Sequence, residues 1–413
     1  MGNLYIRLTQ GLQVFFLKHP NWFTNFFRTL LYDIDVIVYS LRGAQKFLLA
    51  RENLFGSNFA ALGKVILGGY QEVSRGILEP QKRGAYLGRL RLVEDRWSDY
   101  FLLFLSDKGA GGGDTFEQVY ELVWSLMLEP AEKRTDTPEA LAELQALVDK
   151  AYQAGNPPPE KDISEDVGRT IIRYMMRVII QVDLTEEQLD EIHTLVFSVK
   201  PSTSMLMSAG KPFAPRKVPK QVTEGMARFE KLIDESPSMA KFDELNKNNL
   251  DRKQYVSAVA QMMSIAGFQG GSNLATSILV RLPASCPINL ENAEEVKLAV
   301  LETARRWAPV NNVNVITQQP ATIEINGKAH TFPVGTTLAL SIGIASLDPK
   351  EFANPKSFDP HRENLCPALL NFNSVGDRGA RECPGRGVAV AMASHLLVLW
   401  RQKVAAASTS AAA

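Results

Sequence analysis

Cys383 is the residue of this 413-residue chain whose neighbours best suit it to bind a metal. It lies between Gly379 and Gly385, Arg381 precedes it by two positions, and apolar residues at helical spacing follow it. Glycines let a backbone approach a flat ligand, and an arginine can pair with an anionic group. Peptide N–H groups and the positive end of the following helix are expected to favour the thiolate over the thiol. The pattern predicts a thiolate bound to iron, and haem ligated by cysteine is one known form of such a site.

Two charged motifs upstream could hold the loop that carries this cysteine. Glu302 and Arg305 are three residues apart in a helical pattern that ends at Pro309, so their side chains lie on one face. Alone, such a pair is more often a solvated surface pair. Arg362 follows in a segment that begins at Phe352. In order and spacing, these motifs and the cysteine loop resemble the E-x-x-R motif, the F-x-P-x-R-like segment and the haem-binding loop of the cytochrome P450 family.

The resemblance implies a mainly α fold with small β-sheets and a haem b whose iron takes its axial thiolate from Cys383. It implies a structural triad of Glu302, Arg305 and Arg362. The further haem-contacting candidates are Arg381, Gly379, Gly385, Phe372 and His330. Arg381 would bind a propionate, and Phe372 lies farther from the cysteine than the family's aromatic residue does. His330 could replace an arginine that the family commonly has between Val313 and Gln319, although a lone histidine is more often a surface or structural residue.

The central helix departs from the pattern of oxygen-activating members, which carry an acid followed by threonine. Gln269 stands in place of the acid and Gly270 in place of the threonine, and Ser272 and Asn273 are the nearest substitutes. An amide cannot shuttle a proton as a carboxylate can, although it can hydrogen-bond to an oxygen. The catalytic candidates are therefore Gln269, Asn273 and Ser272, and one amide is expected to face the iron. The alternative is that Gln269 only caps a backbone kink at the neighbouring glycines.

Composition limits the partners and the compartment. Lysine plus arginine and aspartate plus glutamate each total 45, so the zero net charge argues against a nucleic-acid partner. The three cysteines form no C-x-x-C pair, which argues against a disulfide framework or a zinc site and favours an intracellular location. Aromatic residues crowd the stretch 9–31, which predicts either a helix packed on the body or an amphipathic segment in peripheral contact with a membrane.

Residues 1–160 are expected to form a poorly matched N-terminal part of the fold, 161–403 the haem-binding core, and 404–413 a flexible tail. Local patterns add expectations for single elements. They are strands at 86–92 and 100–105, helix over 115–155, a helix N-cap at Ser164, a capping box at Thr185 and Gln188, a lid-like loop at 200–220, a central buried helix at 255–282 and a hairpin turn at Asn326-Gly327.

Three functional hypotheses follow. In the first, a haem-thiolate enzyme cleaves or rearranges a lipid hydroperoxide, or uses peroxide, without a redox partner; lyase and isomerase reactions belong here. In the second, an O2-dependent monooxygenase takes electrons from a reductase or ferredoxin, and an acidic partner docks on a basic patch near Arg386. In the third, the chain is a haem-binding homologue without catalytic activity. In both enzyme hypotheses the substrate is a lipophilic small molecule, and the protein is cytoplasmic or peripheral on a membrane.

Overall fold

The computed structural model describes residues 2–19, 56–61, 64–78, 82–83, 98–102, 105, 114–198, 220–283, 285–373 and 381–412. Four sequence predictions lie outside these residues wholly or in large part: the strand at 86–92, the lid-like loop at 200–220, most of the aromatic stretch 9–31, and Gly379.

Helices make up most of the described chain. The α-helices are α1 (Gly2–Lys18), α2 (Tyr70–Leu78), α3 (Thr115–Val123), α4 (Glu129–Glu132), α5 (Pro138–Ala154), α6 (Glu160–Met175), α7 (Glu186–His193), α8 (Lys220–Asp234), α9 (Phe242–Leu245), α10 (Arg252–Met262), α11 (Gly271–Arg281), α12 (Ala293–Arg306), α13 (Ile342–Ala345) and α14 (Arg386–Ala412). Segments with π-helical bonding occupy Trp124–Leu128, Met176–Ile180, Thr194–Ser198 and Met263–Gly270, and short 3₁₀ turns occupy Pro237–Met239 and Asn371–Asn373.

Two small sheets complete the fold. The strands are β1 (Phe59–Ala61), β2 (Lys64–Leu67), β3 (Lys82–Arg83), β4 (Val313–Ile316), β5 (Ala321–Ile325), β6 (Lys328–Phe332) and β7 (Thr337–Leu340). The larger sheet has the order β1-β2-β7-β4-β3, in which the pair β2–β7 is parallel and the other pairs are antiparallel. Strands β5 and β6 form the predicted hairpin, and Asn326 and Gly327 both have positive φ, as a two-residue hairpin turn requires. The mainly α fold with small sheets is confirmed.

The predicted central helix is continuous from Arg252 to Arg281, through α10, the π segment Met263–Gly270 and α11. Helices α6, α12 and α14 pack around α11. Gly271 permits the approach of α6, because a Cβ at this position would stand 3.0 Å from Cγ2 of Ile171. The helix that begins just after Cys383 therefore lies against the central helix, so the fold brings the two candidate halves of the site to neighbouring elements.

The structure tests two predicted helix starts, the capping box at Thr185 and the N-cap at Ser164. At Thr185 the side chain accepts the Gln188 backbone N–H, and the Gln188 side chain accepts the Thr185 backbone N–H, so the capping box is confirmed. The N-cap predicted at Ser164 is wrong, because α6 begins at Glu160 after Pro159 and encloses Ser164. Proline fixes φ for a helix start, and acidic residues in the first turn suit the helix dipole.

Two further expectations differ from the structure. The described residues of 100–105 form no strand; Ser98 and Asp99 instead donate their backbone N–H groups to the side chains of Gln261 and Gln254 on α10. The predicted flexible tail at 404–413 is helical in its described part, because α14 continues to Ala412. Among the described helices, none combines the length and the hydropathy that a membrane span requires.

Candidate active site

Cys383 lies at the neck of a loop that two hydrogen bonds close. The Cys383 backbone N–H donates to the Phe372 carbonyl over 2.7 Å, and the Asn373 side-chain amide donates to the Arg381 carbonyl over 3.0 Å. Phe372 has φ 60° and Asn373 φ 51°, which is rare for an aromatic side chain and tolerated by asparagine. Sequence reasoning missed Asn373, since its left-handed backbone and its partner appear only in the folded loop.

Burial and a local hydrogen bond act in opposite directions on the pKa of the Cys383 thiol. Burial raises the pKa of the Cys383 thiol, while a hydrogen bond from the Gly385 backbone N–H and the charge of Arg386 act in the opposite direction. The backbone N–H therefore acts in the predicted direction, toward the thiolate, and burial opposes it. Metal coordination deprotonates a thiol outright, so the thiolate state comes with the iron.

Arg381 is buried and already has several protein partners. Its guanidinium lies 3.5 Å from the centroid of the Phe116 ring and donates to the carbonyls of Leu102 (3.2 Å) and Leu105 (2.5 Å). These bonds attach the segment 98–105 to the cysteine loop. The role of Arg381 as a propionate partner stays a prediction.

Glu302, Arg305 and Arg362 come together in the interior. Arg305 donates to both Glu302 carboxylate oxygens, over 2.7 and 2.8 Å, and Arg362 donates to the same carboxylate over 3.2 Å. The side chains of Glu302 and Arg305 are fully buried and that of Arg362 is 7% exposed, so this is no solvated surface pair. A buried charge cluster needs its hydrogen bonds satisfied, and both arginines have further acceptors.

Those further acceptors are backbone carbonyls of one long loop. Arg305 donates to the carbonyls of Ser346 (2.6 Å) and Pro355 (2.9 Å). Arg362 donates to the carbonyls of Ala353 (2.5 Å), Asn354 (3.0 Å) and Ser357 (2.8 Å). The triad thus fastens the loop 346–357 to α12.

On the central helix, both candidate amides are bonded to protein carbonyls. Gln269 donates to the carbonyl of Val196 (3.2 Å), and Asn273 donates to the carbonyl of Pro309 (3.0 Å). The Ser272 hydroxyl is buried and has no hydrogen-bond partner among the residues that the structure describes. Each amide is therefore anchored by protein, which suits a positioning role. The expectation that one of them faces the iron stays a prediction.

Exposed apolar side chains lie on and beside the same helix. Ile265 is 37% exposed although its neighbours Ser264 and Phe268 are buried, and Val310, beyond α12, is 45% exposed. A Cβ at Gly270 would meet only the Val310 side chain, at 3.9 Å. Exposed apolar surface within a buried element is typical of the wall of a ligand cavity.

Comparison with known proteins adds the family. Residues 296–400 match the family model described as cytochrome P450. The structure of CYP108D1 from Novosphingobium aromaticivorans matches with a TM-score of 0.55 over 82% of this chain and 80% of that chain, at 15% identity. Cytochrome P450 TxtC, which carries out sequential aliphatic and aromatic thaxtomin hydroxylation, matches with a TM-score of 0.56 over 83% and 86% of the two chains, at 13% identity. At these identities the structural matches establish the fold.

Residues 296–400 thus match the cytochrome P450 family, and the described chain has the fold of its solved members. Mouse (Mus musculus) mitochondrial sterol 26-hydroxylase is 37% identical over 102 residues, which cover 23% of this chain and 18% of that enzyme. The cytochrome P450 cofactor is haem b with an axial cysteine thiolate, and in this chain Cys383 occupies the ligand position.

The residues of this chain fit that cofactor. A Cβ at Gly385 would stand 4.0 Å from the Cys383 sulfur, so the glycine leaves the approach to the thiol clear. A Cβ at Gly267 would meet only Met263 Cβ, at 3.9 Å, so the central helix offers bare backbone beside its exposed apolar residues. An accessible thiol and a helix segment with little side-chain bulk are features that suit the binding of a planar macrocycle.

His330 and Arg386, the two remaining candidates, have partners within the protein. His330 lies on β6, its ring centroid 6.4 Å from that of Phe332; burial and the charges of Lys18 and Lys328 lower its pKa. These neighbours belong to the hairpin and to α1, and the role of His330 near the haem stays a prediction. Arg386, where a basic docking patch was expected, is paired with Glu382 over 2.5 Å, so part of its charge is neutralised within the protein.

Proposed function

We propose that this protein is an O2-dependent cytochrome P450 monooxygenase that oxidises a lipophilic small molecule with electrons from a protein partner. One oxygen atom enters the substrate and the other leaves as water, with two electrons and two protons consumed. The observation that carries the proposal is the exposed apolar surface of Ile265 and Val310 on and beside the central helix, whose α11 part packs against the helix that follows Cys383. Hydroxylation by the mouse relative and by TxtC supports the reaction class.

The bound haem supplies the activation of oxygen; the residues of the chain do the rest. Ile265 and Val310 pack against an apolar substrate and exclude water from it. The glycine at 270 leaves room on the helix face where a larger side chain would stand. The Ser272 hydroxyl, buried and without a partner among the described residues, is available to donate or accept a proton, either directly or through an ordered water.

A second candidate function is the cleavage of a lipid hydroperoxide. Gln269 and Gly270 replace the acid and the threonine of the usual proton relay, and this observation favours it. A substrate that brings its own O–O bond needs neither external electrons nor that relay. Isomerase, lyase and peroxide-using reactions all fall within this candidate.

One pair of assays separates the candidates. Purified ferric protein is mixed with a fatty-acid hydroperoxide without reductant, and in parallel with a panel of lipophilic substrates, O2, NADPH and a reductase–ferredoxin pair. Product that requires O2 and electrons supports the monooxygenase, whereas hydroperoxide consumption without electrons replaces it by the second candidate. Haem binding without turnover in either assay contradicts both and favours a non-catalytic homologue. Cys383→Ser is the control for the iron ligand.

The substrate wall has its own test. Val310→Phe fills the space opposite Gly270 and should weaken binding of a bulky substrate, measured by the spectral shift of the haem, by roughly tenfold. Val334→Phe is the matched control, because Val334 is likewise an exposed valine but lies in the turn after β6. Equal effects of the two variants would contradict the assignment of Val310 to the wall.

A further inference from the structure

Helix α1 presents two large apolar side chains to solvent on one face. Leu12 is 52% exposed and Phe15 is 51% exposed, although both belong to a helix that packs on β1. They are three residues apart and hence adjacent on the helix surface. A Cβ at Gly11, beside them, would meet nothing within 4 Å. Of the five large apolar side chains exposed in the described residues, these two form an adjacent pair on one helix.

The opposite face of α1 is fully used by the fold. Gln13, Val14 and Leu17 are buried, and Leu17 is 2% exposed. The helix is therefore held in place by its inner face, while its outer apolar pair belongs to no core cluster of the described residues. An anchored amphipathic helix with a free apolar face is typical of a segment that lies in a membrane interface.

The charged residues near this face indicate what kind of surface it would bind. Within Gly2–Lys18 the sequence has Arg7 and Lys18 and no acidic residue. Helix α1 also contacts β6, where Lys328 and Lys18 both lie close enough to affect His330. Glu324, on β5, is the exposed acidic residue of the hairpin, so the two lysines leave an excess of positive charge. Basic groups beside an apolar pair complement anionic lipid headgroups.

We infer that Leu12 and Phe15, together with Lys18 and Lys328, form a surface that binds this protein to an anionic lipid bilayer. The apolar pair enters the headgroup region and the lysines contact the lipid phosphates and carboxylates. Binding of this kind brings the enzyme to the phase in which lipophilic molecules collect. The inference concerns the surface alone and does not depend on which reaction the haem site performs.

Vesicle sedimentation tests it with the full-length, haem-loaded protein. Vesicles of phosphatidylcholine alone are compared with vesicles that also contain phosphatidylserine. We expect stronger binding to the anionic vesicles and a roughly tenfold weaker partition coefficient for the double variant Leu12→Ser, Phe15→Ser on both vesicle types. Lys18→Gln and Lys328→Gln should each weaken binding to the anionic vesicles roughly fivefold and leave binding to phosphatidylcholine unchanged.

Lys297→Gln is the matched charge control, because Lys297 is an exposed lysine on α12 that pairs with Glu294. Circular dichroism and haem content should be the same in every variant, so that a loss of binding is not a loss of fold. Failure of the protein to bind either vesicle, or equal binding by the Leu12→Ser, Phe15→Ser variant, would overturn the inference. Self-association that this variant abolishes, without vesicle binding, would assign the surface to a second copy of the chain instead.

Discussion

Replacing Arg305 by lysine tests whether the triad acts through its geometry or only through its charge. Lysine retains the positive charge beside Glu302 but cannot reproduce the planar guanidinium fork. Arg305 donates to Glu302 and also to the carbonyls of Ser346 and Pro355, and it lies 4.8 Å from the centroid of the Phe352 ring. A lysine at this position keeps the contact with Glu302 and abandons both carbonyls.

The expected loss follows from those two carbonyls. A buried polar group left without its partner costs about 1–3 kcal/mol, so Arg305→Lys should lower the free energy of unfolding by about 2–6 kcal/mol. That is a large part of the roughly 5–15 kcal/mol that stabilises a typical protein. Because the loop 346–357 precedes the cysteine loop in the chain, we also expect less bound haem in the purified variant.

Arg306→Lys is the matched control at the adjacent position. Arg306 makes its hydrogen bond to the Lys356 carbonyl (2.8 Å) at the exposed edge of the same loop, so its replacement should cost less than about 1 kcal/mol. Urea unfolding followed by circular dichroism gives both free energies, and the absorbance spectrum gives the haem content. If the two variants lose stability equally, the buried fork does not fasten the loop and the reasoning is refuted.

Three further predictions test packing, protonation and capping. A Cβ at Gly387 would displace the Glu132 carboxylate, so Gly387→Ala should cost about 1 kcal/mol, and adding Glu132→Ala should recover most of it in a double-mutant cycle. Burial lowers the pKa of His395, against the opposing charge of Asp136; because the unfolded chain then binds more protons below about pH 6.5, stability should fall on acidification, and His395→Gln should flatten that fall in urea unfolding between pH 7.5 and 5.5. Thr185→Ala removes the capping box and should lower the free energy of unfolding by about 1 kcal/mol, whereas Thr185→Ser should leave it nearly unchanged, as thermal melts would record.

The sequence predicted features that depend on neighbouring residues. The capping box at Thr185, the turn at Asn326 and Gly327, and the long central helix each follow from the residues within a few positions of one another. The order of the charged motifs also gave the family, because spacing along the chain carries that information directly. The order of the motifs did not show whether Glu302 and Arg305 are buried, because the same spacing also suits a solvated surface pair.

Several contacts that the sequence did not reveal join residues that lie far apart in the chain. The apolar run at 100–105 looked like a strand, but Gln254 and Gln261 on the central helix bind the backbone at its start. Arg381 was expected to pair with an anion, but the carbonyls of Leu102 and Leu105 also accept its hydrogen bonds. No local pattern contains these contacts, since they form only when the segments pack.

The glutamine at position 269 can be explained without reference to the reaction. Val196 lies in the π segment Thr194–Ser198, is buried, and offers its carbonyl to the π segment of the central helix, where Gln269 donates to it. A carboxylate at this position has no hydrogen to donate at neutral pH and would face the negative end of the carbonyl dipole. An amide there joins two irregular helices, whereas an acid would separate them. The missing acid is therefore weak evidence for hydroperoxide chemistry. The lack of a side chain at Gly270 is not explained by this contact, and room for the substrate would explain it.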